Sequence, residues 1–188
     1  SASVTIDGEV VGQVSEGEKQ FAVVNTKMVI WPDKVYLDMS SREVKPLGAT
    51  LTGSKATFTK NTMKVSGWTD LTTLFKAGDA LTMTGCTTKT ENNKDFVISS
   101  LTADTITVLD NTFVEATETS TAITLERKVP DMDFICESEN RLWGCRYGLA
   151  LNGEHVNEIY ACKLGDFKNW NCFMGISTDS YVVSCGTT

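Results

Sequence analysis

Glu139-Asn140-Arg141-Leu142-Trp143-Gly144-Cys145 is the stretch on which the fold turns, because its pattern recurs as Val156-Asn157-Glu158-Ile159-Tyr160-Ala161-Cys162 and, more loosely, as Pro32-Asp33-Lys34-Val35-Tyr36-Leu37-Asp38. Each copy runs from an Asx residue through a charged residue, an aliphatic, an aromatic and a small or aliphatic residue to Cys or Asp. A polar turn thus feeds a strand. At a period of two, Val35, Leu142 and Ile159 are expected on one face and Tyr36, Trp143 and Tyr160 on the other. Both faces are apolar, so both call for cover. That is the demand of a sheet stacked between sheets, in a propeller blade or a sandwich layer, and the recurrence favours repeated blades.

Around this unit the chain falls into three parts. Residues 1–48 alternate as strands near 4–6, 21–24, 28–31, 35–38 and 44–47, with a polar turn at 15–19 and a hairpin connection at Asn25-Thr26-Lys27. Residues 49–127 shift to threonine with few aromatics. β-Branched alternation there predicts six short strands, near 56–59, 63–66, 80–84, 96–99, 105–109 and 122–125, with one helical turn at 70–75. Residues 128–188 resume the first style. The expectation is an all-β chain: a partial, propeller-like β-repeat fold made of 1–48 and 128–188, interrupted by a small inserted β-barrel or β-sandwich domain at 49–127. Closed propellers use at least about four blades of four strands. The outer parts supply strands for about two, so either the chain is a piece of a longer polypeptide or its outer strands form a smaller sandwich rather than a ring; the first is preferred, with 180–186 a strand lacking a later partner.

Composition narrows the function. A net charge of −7 and a single histidine leave no basic patch, which argues against nucleic acid as a partner. No apolar run approaches the ~20 residues of a helical span, so no membrane insertion is expected. The six cysteines form no C-x-x-C pair and have no histidines beside them, which removes zinc-ribbon and redox readings. Cys145 and Cys162, at matching places in successive units, are expected to project in parallel as free thiols, since a disulfide needs converging side chains. Asp131 and Asp133 share a strand face yet lack the further acidic oxygens of a cation loop. His155 has no Ser, Cys or Asp partner to orient it. No catalytic residue, metal site or cofactor is therefore assigned, and a cell-wall hydrolase is disfavoured for want of a paired acid and base. The one candidate binding element is the loop at 163–170, where Phe167 and Trp170 sit among polar residues. They either meet a carbohydrate or protein surface or plug a gap between blades; the second is preferred because large rings carry large buried area.

Three segments carry a resemblance: Val129-Pro130-Asp131-Met132-Asp133-Phe134-Ile135-Cys136, Asn140-Arg141-Leu142-Trp143-Gly144-Cys145, and the run from Ile159 through Leu164-Gly165-Asp166 to Asn169-Trp170. They resemble segments of tail-associated structural proteins from bacteriophages and prophages of Gram-positive bacteria. The similarity spans about 128–181, is fainter over 20–48, and touches the threonine-rich part only in kind. It implies a propeller-like, non-enzymatic virion component, assembled in the bacterial cytoplasm, whose partners are other virion proteins. A host-surface glycan or receptor is the alternative partner, with the inserted domain as the recognition element. These motifs are packing motifs and transfer no functional residues.

Overall fold

The computed structural model describes residues 1–119, 122–149, 153, 155–171 and 177–185. β1 (Ala2–Ile6) and β2 (Glu9–Val14) form a hairpin. Asp7 (φ 52°) and Gly8 (φ 84°) both adopt the left-handed conformation that a two-residue turn between twisted strands demands. β3 (Gln20–Val24), β4 (Lys27–Trp31), β5 (Val35–Asp38) and β6 (Glu43–Pro46) follow as a four-stranded antiparallel sheet in chain order, here sheet 1. Next come β7 (Ala49–Gly53), β8 (Ala56–Phe58), β9 (Thr62–Val65), β10 (Ala80–Thr84), β11 (Asp95–Val97), β12 (Ser100–Leu101), β13 (Thr105–Thr107), β14 (Ala116–Glu118) and β15 (Ile123–Arg127). β16 (Phe134–Ser138), β17 (Arg141–Leu149), β18 (His155–Ala161) and β19 (Tyr181–Ser184) form a second four-stranded meander, sheet 2. The chain is all-β; helix among the described residues is confined to single 3-10 turns at Leu71–Thr73, capped by Asp70, and Thr90–Asn92. β19 completes sheet 2 by pairing with β18, the strand before it in the chain.

Two compact units result, one of Ser1–Leu47 with Val129–Thr188 and one of Gly48–Lys128. In the second unit a four-stranded sheet (β11-β10-β15-β7) and a five-stranded sheet (β12-β13-β9-β8-β14) enclose one core in which Met63, Leu81, Met83, Ile106, Ile123 and Leu125 are fully buried. Neither sheet closes, so this unit is a sandwich and not a barrel. Threonine lies on the outer faces, where Thr52 and Thr124 hydrogen-bond across strands at 2.9 Å. Buried Glu118 accepts the backbone N–H groups of Thr87 (3.1 Å) and Thr88 (2.8 Å), which fixes the β10–β11 connection.

In the first unit the strand period sorts each sheet into two faces. The register row Ala22–Val29–Tyr36, with Val24 and Trp31, places those side chains on the front of sheet 1. Phe21, Ile30 and Val35 lie on its back, as do Val23, Met28, Leu37 and Val44. In sheet 2, Phe134, Cys136, Trp143, Cys145, Ile159, Tyr181 and Val183 form the front; Ile135, Leu142, Gly144, Tyr160 and Val182 form the back. The front of sheet 1 packs on the back of sheet 2, in a core of Ala22, Val24, Val29, Trp31, Tyr36, Leu142 and Cys162 with Ile135 and Tyr160 at its margin. Against the back of sheet 1 lies the β1–β2 hairpin: a Cβ at Gly12 would stand 2.4 Å from a Val44 methyl.

These faces correct part of the motif expectation. Val35 and Leu142 do point back and Tyr36 and Trp143 front, but the third copy is inverted, with Ile159 in front and Tyr160 behind. The reason is register: β18 runs antiparallel to β17 with Tyr160 opposite Gly144, so the second and third copies lie on adjacent strands of one sheet. Cys145 is consequently on the front and Cys162 in the core behind, and the described cysteines are all free thiols.

The turn after β4 anchors the hairpin. Asp33 accepts Ser15 N–H at 2.5 Å and pairs with Lys19 Nζ at 2.8 Å. Burial opposes ionisation, but the hydrogen bonds from Lys19 and Ser15, with the lysine charge, outweigh it and lower the Asp33 pKa from 3.8 to about 2. A depressed folded-state pKa adds stability above the unfolded value and loses it as pH falls through the folded one. Hydrogen exchange over residues 1–14 should therefore accelerate between pH 3.8 and about 2, and Asp33→Asn should remove that dependence. A pH profile unchanged by Asp33→Asn would contradict the anchor.

Candidate functional site

The loop carrying the sequence candidates folds inward. Lys163 N–H donates to Asn169 O (2.8 Å), Asn169 N–H to Asp166 O (3.0 Å), and Gly165 N–H to Asn140 O (3.0 Å), so the loop closes on itself and against the β16–β17 turn. Phe167 and Trp170 are only 7% and 5% exposed, and Phe167 meets Tyr36 edge to face at 5.2 Å. The surface role considered for these rings is thereby corrected: they plug the core between sheets 1 and 2, because burying two large rings outweighs presenting them to water. Asp131 pairs with Lys34 at 2.5 Å, while Asp133 accepts Tyr147 N–H at 2.9 Å, so each carboxylate has its own structural partner. No group of three or more metal-ligating side chains occurs among the described residues. The side chain of His155, and Cys172, lie outside the described residues.

The distinctive surface is the front of sheet 2. Trp143 and Tyr181 meet edge to face at 5.7 Å, and Phe134 stacks on Tyr147 at 6.3 Å with rings 4° from parallel. Between them Phe134, Cys136, Trp143, Cys145 and Ile159 line an open depression of about 440 Å³. Phe134 (55%), Tyr147 (64%), Ile159 (41%) and Val183 (48%) are heavily exposed, which makes this a contiguous apolar face rather than scattered surface hydrophobes. Arg141, two residues before Trp143 and on the same face by register, borders it at the start of β17: its buried guanidinium donates to Cys162 O, Asp179 O (2.8 Å) and Ser177 O (2.5 Å) and lies 5.7 Å from the Tyr181 ring. Sequence reasoning placed Arg141 only as the charged residue of a turn, and nothing local signals its reach to 177–179.

No family model, curated protein or solved structure matches this chain. The site is thus read from its own geometry. Its closest analogue lies within the chain. The two-residue turns Asn25-Thr26 and Glu139-Asn140 occupy the same place in the two meanders, linking first strand to second. Superposed at these turns, Val29 corresponds to Trp143 and Ala22 to Cys136, so the front of sheet 2 is the counterpart of the sheet 1 front that packs against sheet 2. The occupied interface also has polar keys. Trp31 Nε1–H donates to Met132 O (2.6 Å), the Gln20 amide donates to Asp133 O (2.7 Å) and accepts Ile135 N–H (3.0 Å), and Asn25 donates to Asn140 Oδ1 (2.9 Å).

The thiols should differ in reactivity. Burial raises Cys162 to about 11, and burial with the Glu118 charge raises Cys86 to about 11. The thiolate is the nucleophile, so both should resist alkylation in the native protein. Exposed Cys136 and Cys185 should be labelled quickly, as peptide mass spectrometry after a brief iodoacetamide pulse would report. Native labelling of Cys162 at the rate of Cys136 would contradict the buried placement.

Proposed function

We propose that the chain is a non-enzymatic structural component of a phage or prophage particle, tail-associated, which works by assembling with other virion proteins. The observation that carries the assembly reading is the stacking of sheets 1 and 2 in the same sense, front on back, with the equivalent front of sheet 2 left open. A rigid layer face of this kind suits sheet-on-sheet packing. In this reading sheets 1 and 2 are blades of a propeller-like array and the inserted sandwich decorates it. The phage setting rests on the resemblance of the segments at 129–136, 140–145 and 159–170, and free thiols agree with assembly in a reducing cytoplasm. The glycan-binding alternative takes the inserted domain as its recognition element and gains no support from Phe167 and Trp170, which lie in the core. Mass spectrometry of purified particles from a lysogen carrying the gene tests the proposal. The chain should be present in amounts comparable to the tail proteins, and its absence from particles would overturn the assignment.

A further inference from the structure

We infer that copies of this chain stack head to tail, the front of sheet 2 in one copy meeting the back of sheet 1 in the next; the inference rests on the assembly reading above and names its partner. The first unit has two open ends. At one lie Phe134, Tyr147, Ile159 and Val183, all on the front of sheet 2. At the other, on the back of sheet 1, the inner-strand side chains Ile30 and Leu37 are covered, at 2% and 3% exposed, and the open part is the β3 edge, where Phe21 and Val23 are 59% and 58% exposed; the β1–β2 hairpin lies against Val44 at the opposite edge. Phe134, Tyr147, Leu149, Ile159 and Val183 at one end and Phe21 and Val23 at the other make up most of the large exposed apolar side chains of this unit's β-strands, with Val10 and Val182 lying elsewhere.

The occupant follows from continuity with that internal interface. The sheet 1 front accepts a back, that of sheet 2. The sheet 2 front, its counterpart, calls for a back as well, and what this chain leaves open of one is the β3 edge of sheet 1 at Phe21 and Val23. A front-to-back contact is heterologous: each copy uses a different surface on either side, so association continues until a ring closes or a filament grows. Phe134, Tyr147, Ile159 and Val183 are uncharged, whereas the chain carries −7, so copies repel through their net charge and attract through the face. Association should therefore strengthen as salt screens the repulsion.

Complementation between two variants tests this. Ile159→Lys blocks the front and Phe21→Glu blocks the back, both at exposed positions where the fold should be kept, as far-UV circular dichroism will verify. By sedimentation velocity at concentrations on the order of 100 μM, the unmodified chain should self-associate, and each variant alone should associate at least about tenfold more weakly. Mixed one to one, they should form a 1:1 dimer, since the intact front of one meets the intact back of the other. A chain that stays monomeric, a Phe21→Glu variant that associates like the unmodified chain, or a mixture that fails to pair would each overturn head-to-tail stacking. None of these outcomes bears on whether the chain is found in particles, so the inference and the functional proposal fail separately.

Discussion

Replacing Trp31 with alanine should unfold most of the unit built from Ser1–Leu47 and Val129–Thr188. Trp31 is 1% exposed at the centre of the interface between sheets 1 and 2, and its indole N–H closes a 2.6 Å hydrogen bond to Met132 O. Truncating a buried tryptophan costs about 3–5 kcal/mol, a large share of the roughly 5–15 kcal/mol that holds a domain together. The loss falls where two segments far apart in sequence are joined, so neither meander retains a partner for its inner face. Trp31→Phe separates the contributions. It keeps much of the ring volume and leaves the Met132 carbonyl without its donor, for about 1–3 kcal/mol. Hydrogen exchange in a urea series should show peptides over 20–31 and 132–145 losing protection together, far earlier in Trp31→Ala than in Trp31→Phe. Equal midpoints for the two variants would mean that packing of the ring contributes little.

The second large effect belongs to the sandwich. Arg127 and Asp79 form a 2.9 Å ion pair with side chains 6% and 0% exposed, and the same guanidinium nitrogen donates to Leu74 O at 2.9 Å. Asp79 also accepts Lys76 N–H at 3.1 Å, so the pair ties the loop before β10 to the end of β15 in the middle of a sheet. Arg127→Leu strands a carboxylate in the interior and should cost about 3–5 kcal/mol, whereas Arg127→Leu with Asp79→Leu removes both charges and should recover much of that loss. Exchange protection over 80–84 and 123–127 reports it. A double variant as unstable as the single one would show that the hydrogen bonds to Leu74 and Lys76, and not the unpaired charge, dominate.

The β character was legible in the chain because β-branched residues alternate with polar ones, and β8, β9, β10, β11, β13 and β15 lie where that alternation predicts strands. β7, β12 and β14 were not. β12 is only two residues long, too short for a period to register, β14 is polar at two of its three positions, and β7 begins at the composition break at 48–49. β2 was passed over although Asp7-Gly8 is a strong hairpin signal, since the polar run at 15–19 drew the turn away from it. The motif showed that layers stack yet misjudged which copies are equivalent. Facing depends on register, and register is set between strands rather than within one. The open front of sheet 2 was not legible for the same reason: Phe134, Trp143, Ile159 and Val183 share a face only after β16, β17, β18 and β19 have paired. Arg141 looked like an ordinary turn charge, because its acceptors lie more than twenty residues downstream.

The pairing of β7 with β15 bears on how the chain reaches this state. Joining Leu47 to Val129 across an unfolded stretch of roughly 80 residues would carry a closure entropy that grows with the logarithm of its length. Yet Ala49 pairs with Arg127, so once the sandwich forms, its entry and exit lie on neighbouring strands. The contiguous sandwich then acts as a clasp that turns a distant meeting into a local one. Its own folding should precede that of the split unit, and slowing the first should delay the second, the order that contact separation along the chain favours.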